Sequence, residues 1–249
     1  MKGPPVNTAA QVLATLRKLV RPDKAVFLPK FFQAMPGGYG EGDQFLGVVV
    51  PDQRKAAKHF RELPLSENQQ LLDSPWHECR LTGLFVLVDQ FERAAKATSK
   101  RDDVHAAREY VDFYLRNLSA VNNWDLVDSS SPKILGRWLL AHPRERKILT
   151  KLSASESVWE RRVAVLATQP LIKAAQFNDI LRLSKRLLGD QHDLMHKAIG
   201  WMLREMGEQD ANVLSNFLQQ HVHRMPRTML RYAIEKRAPA ERKFWLNIR

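Results

Sequence analysis

Hydrophobic residues recur mostly every three or four positions along this chain. The segments LTGLFVLVDQFERAAKA at 81–97 and HDLMHKAIGWMLREMG at 192–207 are two examples. Apolar side chains at positions i, i+3, i+4 and i+7 form one face of an α-helix. The same spacing predicts further helices in the segments 9–20, 54–63, 104–118, 131–142, 158–168, 177–190, 211–222 and 226–236.

The breaks between these segments contain residues typical of helix ends. Ser131 followed by Pro132 predicts an N-cap and a first-turn proline. Gly189 and Gly207 stand where two helices are expected to stop. The apolar run FLGVVVP at 45–51 is the one candidate for a strand, but its proline and the predicted helix that follows favour a loop.

The succession of helices predicts an all-α fold. Helices of about 10–17 residues with short links indicate a curved α-solenoid of HEAT-like repeats, although sequence identity between the repeats is faint. No Pro/Gly-rich linker marks a boundary, so we expect a single helical-repeat domain over residues 1–249, with residues 1–6 disordered. The segment MPGGYGEGDQ at 35–44 is expected to be the loosest loop.

Net charge gives the first indication of function. The formal net charge is +12 and the pI is about 10.0, which favours a polyanionic partner because Lys and Arg displace the counterions of phosphates. Residues 221–249 contain eight basic residues against two acidic ones, which is half of the net charge. The basic residues are Arg224, Arg227, Arg231, Lys236, Arg237, Arg242, Lys243 and Arg249. This concentration predicts a nucleic-acid-binding face.

Other features of the composition indicate the compartment. Cys79 is the single cysteine, so an intrachain disulfide is excluded and a reducing compartment is favoured. Residues 1–20 lack the apolar core of a signal peptide, and no window approaches the roughly 18 apolar residues of a membrane span. We therefore expect a cytoplasmic protein that associates with nucleic acid and not with membranes.

Several sequence motifs fall short of the chemistry they resemble. GGYGEG at 37–42 lacks the GK[ST] of a phosphate loop and does not complete GxGxxG. His192 and His196 have zinc-like i, i+4 spacing, but Asp193 replaces the expected Glu and no third ligand is evident, so solvated or DNA-facing histidines are favoured. No serine or cysteine nucleophile motif is present. We predict neither a metal nor a cofactor.

The segment NNWDLVDSSSP at 122–132 combines an indole with two acids. On a helix, Trp124 and Asp128 are separated by one turn and share a face. Asp125 lies close to that face as well, so spacing alone does not decide which acid carries chemistry. Asp128 precedes the expected helix start at Ser131, where an anion is favoured. A junction between helices, capped by Asp128 and packed by Trp124, explains the same residues.

NNWDLVDSSSP resembles the WDxVD segment of the AlkD-type DNA alkylation repair glycosylases, a HEAT-like family. Further similar segments follow in the family's order: FLGVVVPDQR at 45–54, VWERRVAVLA at 158–167, HKAIGWMLRE at 196–205 and PRTMLRYAIEK at 226–236. The resemblance spans about 200 residues, and WDLVD together with KAIGWMLRE makes it specific. MPGGYGEGDQFLGVVVP is longer and richer in glycine than in some relatives, so no DNA contact is transferred to that region.

The resemblance implies roles for individual residues. The catalytic aspartate falls on Asp128, the indole beside the lesion on Trp124 and the second indole on Trp201. The arginine that contacts DNA near the lesion falls on Arg162, and a further arginine on Arg204. We also expect DNA contacts from three other basic residues of the matching segments, Arg161, Lys197 and Arg227.

The activity implied by the resemblance is hydrolysis of the N-glycosidic bond of N3- or N7-alkylated purines in double-stranded DNA. We expect a monomeric enzyme of base excision repair. It should be monofunctional, because no lysine is singled out as a Schiff-base nucleophile. We also expect it to work without base flipping, because the family acts from a concave surface. Two alternatives remain open. One is a non-catalytic binder of damaged or branched DNA on the same scaffold, and the other is a protein-binding helical scaffold.

Overall fold

The computed structural model describes residues 7–101 and 105–248, and all regular elements in these ranges are helical. Apart from an isolated bridge between Gln44 and Trp76, this part of the chain contains no β-structure. The predicted all-α class is therefore confirmed. Residues 1–6, which were expected to be disordered, and Arg249 of the basic C-terminal segment lie outside the described residues.

Packing divides the chain into two compact units, unit 1 from Met1 to Ser130 and unit 2 from Ser131 to Arg249. Within each unit, helices that follow one another along the chain pack together, which is consistent with an α-solenoid. A single domain over the whole chain stays a prediction. None of the helices in the described ranges is both long and apolar enough to cross a membrane.

Unit 1 is built around α5, a helix of 25 residues on which α3, α4, α6 and α7 pack. Leu84, Leu87 and Phe91 recur on one face of α5 and are buried, as the periodicity predicts. The helices of unit 1 are α1 (Ala9–Arg17), α2 (Pro22–Phe31), α3 (Val50–His59), α4 (Leu65–Leu72), α5 (His77–Arg101), α6 (His105–Arg116) and α7 (Trp124–Ser130).

The α2 helix departs from the amphipathic pattern, and the periodicity did not predict it. It contains Pro29 and buries none of its side chains, while Val26, Phe27 and Phe31 are exposed to solvent. A helix without a buried apolar stripe gives no 3.6-residue signal in the sequence. At the N-cap of α2, the Arg21 N–H donates to the carbonyl of Gly47 at 3.0 Å.

The 45–51 segment is a loop followed by the start of α3, as its proline indicated. The buried carboxylate of Glu78 accepts hydrogen bonds from the backbone N–H groups of Leu46, Gly47 and Val48, at 2.9, 2.8 and 3.2 Å. Gly47 has a φ of 94°, and a Cβ there would lie 2.6 Å from the Arg21 carbonyl oxygen. Gly47 thus provides the backbone conformation of this buried loop, and Glu78 provides hydrogen-bond acceptors for N–H groups that no regular secondary structure satisfies.

Unit 2 is centred on α13, which packs against α10, α11, α14 and α15. Met195, Ile199, Met202 and Met206 of α13 are fully buried. The helices of unit 2 are α8 (Arg137–Ala141), α9 (Lys147–Leu152), α10 (Val158–Leu166), α11 (Gln169–Lys173), α12 (Asn178–Arg186), α13 (Asp193–Gln209), α14 (Ala211–His221), α15 (Arg227–Ala233) and α16 (Pro239–Asn247).

Two expectations for helix ends in unit 2 need correction. Gly207 lies inside α13 instead of ending it, because it makes room for Leu214 of α14, which a Cβ would meet at 2.4 Å. Ser131 adopts a helical conformation and makes no cap; its hydroxyl donates to the carbonyl of Val163, and Pro132 opens a π-helical turn that leads into α8. Gly189 does lie in the turn after α12, as predicted.

The basic C-terminal segment is largely on the surface of unit 2. Six of its cationic residues are exposed, namely Arg224, Arg227, Arg231, Lys236, Arg242 and Lys243. Arg237 is partly withdrawn, since it donates to the carbonyl of Ala211 and pairs with Glu241. The exposed cations leave unit 2 with a strongly positive C-terminal surface that an anionic partner could reach.

Candidate functional site

The WDLVD segment forms α7, the last helix of unit 1. The helix starts at Trp124, whose backbone N–H donates to the Asn123 side chain at 2.8 Å. Leu126 and Val127 are buried, whereas Trp124 and Asp128 are half-buried and lie one turn apart. The short helix therefore presents an indole and a carboxylate together on its accessible face.

The two acids of WDLVD have different environments. Asp125 is buried, and its Oδ2 lies 2.9 Å from His77 Nε2 at the start of α5. Asp128 is half-buried and sits inside α7, near its end, and not ahead of a newly capped helix as the sequence suggested. The structure thus separates an acid that belongs to the core from an acid that is partly exposed to solvent, a distinction that spacing left open.

The partner of Asp125 is part of a buried polar network. His77 Nδ1 lies 2.9 Å from Asp43 Oδ2, and Arg80 donates to Asp43 Oδ1 at 2.5 Å and to Asn122 Oδ1 at 3.2 Å. Burial by itself lowers the pKa of His77, but the hydrogen bonds and charges of Asp125 and Asp43 outweigh it and raise that pKa to about 9. For Asp43, burial alone would raise the pKa of the carboxyl. The hydrogen bonds and positive charges of His77 and Arg80 outweigh burial, so this pKa lies below its ordinary value.

Trp124 rests on an aromatic cluster of unit 1. Its ring stacks on Phe32, with centroids 5.4 Å apart, and meets the edge of Phe31 at 5.9 Å. Phe32 in turn packs against Phe45 and against the His77 ring, at 5.3 and 4.8 Å. The indole is thereby held by two phenylalanine rings, and its half-buried state leaves part of it accessible.

An exposed apolar surface continues from this cluster along α2, and sequence reasoning missed it. Val26, Phe27, Phe31 and Met35, together called the α2 patch, have exposed fractions of 69, 50, 48 and 60%. Phe27 stacks on Phe31 at 5.5 Å, and the Lys24 ammonium lies 5.5 Å from the Phe27 ring. Clustered exposed apolar residues usually mark an interaction surface, and consecutive phenylalanines without a helical stripe were the available sequence signal.

In unit 2, the two arginines of VWERR are held by internal partners. Arg162 is 5% exposed, and its Nη1 donates to the carbonyl of Leu194 at 2.7 Å, which ties α10 to the start of α13. Arg161 forms a two-contact ion pair with Asp190, at 2.7 and 3.3 Å, and donates to the carbonyls of Ser155 and Glu156. These bonds orient both guanidinium groups within unit 2.

The remaining candidates lie on α13 and α15. Trp201 is half-buried, and its Nε1 donates to Glu205 at 3.0 Å. Lys197 pairs with Asp193 at 2.7 Å, and Arg204 pairs with Glu235, which links α13 to the end of α15. The exposed Arg227 donates to the carbonyl of Leu246 at 2.7 Å. The five basic candidates and Trp201 therefore lie on α10, α13 and α15 of unit 2. Both α10 and α15 pack against α13.

The histidines of HDLMH stabilise the start of α13. His192 Nδ1 accepts from the backbone N–H of Leu194 at 3.2 Å and caps the helix, and His196 Nε2 donates to the carbonyl of Asp190 at 2.5 Å. Burial and the nearby positive charge of Arg161 lower the pKa of His192. Both rings are half-buried and serve the local structure of unit 2.

Comparison with known proteins identifies the family. A family model for DNA alkylation repair enzymes matches residues 12–236, most of the chain. Among solved structures, the chain is similar to a predicted DNA alkylation repair enzyme from Enterococcus faecalis, with a TM-score of 0.67 and 16% identity over 88% of this chain and 97% of that chain. No curated protein matches. The chain therefore belongs to the family of DNA alkylation repair enzymes, and its role is in DNA repair.

Proposed function

We propose that the protein is a DNA glycosylase that hydrolyses the N-glycosidic bond of N3- and N7-alkylated purines in double-stranded DNA. The observation that carries the proposal is the pairing of Trp124 with Asp128 on the accessible face of α7, while Asp125 is bound to the core. A carboxylate and an indole face are groups that stabilise positive charge. Family membership and the net charge of +12 support DNA as the partner.

The reaction needs little acid catalysis from the protein. An N3- or N7-alkylated purine is already cationic, so when its bond to C1′ of the sugar breaks, the bonding electron pair neutralises the departing base. Positive charge then develops on the sugar as an oxocarbenium-like transition state. A water oxygen bonds to C1′ and loses one proton to the surrounding water, so that an abasic site and the intact alkylated base remain.

Asp128 and Trp124 are proposed to stabilise the positive charge of this transition state. The Asp128 carboxylate stabilises the positive sugar and orients the attacking water. The Trp124 face attracts the cationic sugar or base, and contacts of this type contribute roughly 0.5–2 kcal/mol each. Because Phe31 and Phe32 pack against the ring, its accessible part is held in a fixed orientation.

We assign the remaining candidates to binding of the substrate. Trp201 is the second indole proposed to contact the lesion nucleotide, and Arg162 and Arg204 are proposed to contact the phosphate backbone. The same role is proposed for Arg161, Lys197 and Arg227. Internal bonds to Leu194, Asp190, Asp193 and Glu235 orient several of these side chains in advance, which lowers the entropy cost of engaging phosphates.

Large adducts are compatible with this site. Many glycosylases enclose a flipped base in a snug pocket, which limits the size of the lesion. Trp124 and Asp128 are instead half-exposed, and the α2 patch extends an apolar surface from Phe31, which touches Trp124. We propose excision without base flipping, with bulky N7 adducts resting on exposed apolar side chains.

The proposal is tested by incubating the protein with a duplex oligonucleotide that carries one 7-methylguanine. We expect release of free 7-methylguanine and an abasic strand that breaks only after alkaline treatment, as a monofunctional enzyme requires. Salt-sensitive duplex binding without base release would instead indicate the non-catalytic binder. Little duplex affinity at any salt concentration would indicate a protein-binding scaffold.

A further inference from the structure

His77 connects three segments of unit 1 at its buried position at the start of α5. Its side chain is 2% exposed and lies between Asp43, in the loop after α2, and Asp125, in the first turn of α7. Both distances from ring nitrogen to carboxylate oxygen are 2.9 Å. Among the described residues, the ionisable groups that act on the ring are Asp43 from the loop and Asp125 from α7, and Arg80 of its own helix binds Asp43.

A carboxylate oxygen at 2.9 Å from each ring nitrogen favours a charged ring. A neutral imidazole has a single N–H, and a carboxylate only accepts, so a neutral His77 could not donate to Asp43 and Asp125 together. Protonation of Asp43 would offer another solution, but the Arg80 guanidinium bound to its other oxygen opposes that. Burial and the position at a helix N-terminus both disfavour a cation, so the two carboxylates are what keep the imidazolium in place.

The same ring supports the indole of the proposed site. His77 packs against Phe32 at 4.8 Å and against Phe45 at 4.9 Å, and Phe32 stacks on Trp124 at 5.4 Å. Two routes thus lead from His77 to Trp124: one through Asp125 to the backbone of α7, and one through the Phe32 ring. The proposed catalysis uses neither Asp125 nor His77, so their pairing calls for a separate explanation.

We propose that His77, as an imidazolium bound by Asp43 and Asp125, is a positioning residue that fixes the first turn of α7 and the Trp124 ring. Its effect on base release rests on the proposed function, whereas its effect on the position of Trp124 does not. Loss of the charge leaves one carboxylate without its donor, so that carboxylate turns toward water and the loop or α7 moves with it. The alignment of Trp124 and Asp128 is then lost.

A spectroscopic test addresses the position of Trp124 without using activity. The indole N–H resonances of protein labelled with ¹⁵N-tryptophan are recorded, and Trp124 is assigned through Trp124→Phe. We expect the Trp124 resonance to shift or broaden in His77→Gln, and in the wild type as pH rises through the His77 pKa of about 9. The Trp201 resonance, in unit 2, serves as the internal reference. A Trp124 resonance unchanged in both experiments overturns the proposal, and the wild-type titration remains decisive if the variant does not fold.

A kinetic test separates positioning from loss of stability. Asn68→Ala is the matched control, because Asn68 is buried in unit 1 and donates to the carbonyl of Gly83 at 3.2 Å, outside the network. We expect His77→Gln to slow single-turnover base release about tenfold or more, with duplex affinity nearly unchanged and Asn68→Ala close to wild type. Equal losses in the two variants, or none in His77→Gln, overturn the positioning role. If the wild type releases no base, the proposed glycosylase function is wrong. The positioning of Trp124 by His77 is then tested by the Trp124 resonance alone.

Discussion

Asp125 Oδ2 lies 2.9 Å from Nε2 of the buried His77, so this acid of the WDLVD segment belongs to the core of unit 1. Asp128, three residues on, is half-buried and shares a helix face with Trp124. Within one helix of seven residues, Asp125 therefore has a structural role and Asp128 has the proposed catalytic role. Each of the two carboxylates therefore has its own experimental signature.

The first prediction concerns stability. Asp125→Asn removes the anion that faces the buried imidazolium, and we expect it to lower the free energy of unfolding by about 3 kcal/mol, the loss typical of a broken buried ion pair. Asp128→Asn alters a half-buried side chain and is expected to change stability by less than about 1 kcal/mol. Urea denaturation of both variants at pH 7 measures the difference. Equal losses of stability would contradict the division of roles.

The second prediction concerns pH. Because the pKa of His77 is raised from 6.5 to about 9 by Asp125 and Asp43 against the effect of burial, the folded state binds its proton more tightly than the unfolded chain. The resulting stability is complete below about pH 6.5 and is lost as pH rises through 9, a contribution on the order of 3 kcal/mol. Wild type should therefore lose more stability than His77→Gln between pH 7 and about 9.5. Parallel pH profiles for the two proteins would exclude a charged His77.

The third prediction concerns DNA engagement by Arg162. Its replacement by alanine is expected to weaken duplex binding and to reduce the slope of log affinity against log salt by about one. Arg146→Ala is the matched control, since Arg146 is also a unit 2 arginine held by internal partners, Asp179 and Gln176. Fluorescence anisotropy over a salt series gives both slopes. If log affinity falls with log salt as steeply in Arg162→Ala as in Arg146→Ala, Arg162 does not contact a phosphate.

The fourth prediction concerns the α2 patch. Phe27→Ser combined with Met35→Ser removes two exposed apolar side chains of the α2 patch, so stability should stay within about 0.5 kcal/mol. We expect excision of bulky N7 adducts to fall several-fold more than excision of 7-methylguanine, because only the larger adduct extends over the patch. Phe244→Ser, equally exposed on α16, is the control. Equal effects on both substrates would show that the patch does not select for size.

The sequence predicted the helical class because buried faces repeat at the helical period, as Leu84, Leu87 and Phe91 on α5 illustrate. It did not predict α2, which has no buried face, or the interior position of Gly207, which depends on contact with Leu214. In each case, the deciding factor is a contact or a lack of burial that local periodicity does not encode.

The candidate site was predicted in part for the same reason. The spacing of Trp124 and Asp128 is local, so their shared face was accessible from sequence. The choice between Asp125 and Asp128 was not, because it depends on His77, 48 residues away along the chain. The resemblance to a family selected Asp128, and the burial of Asp125 gives a physical reason that favours the same acid.

The most direct test of the central claim is single-turnover release of 7-methylguanine from duplex DNA by wild type, Asp128→Asn and Asp112→Asn. Asp112 is the matched control, a partly exposed acid of unit 1 on α6 that pairs with Arg108. The account predicts release by wild type and Asp112→Asn, and a loss of about 10²-fold or more in Asp128→Asn with duplex binding retained. Release by Asp128→Asn at the wild-type rate would contradict it.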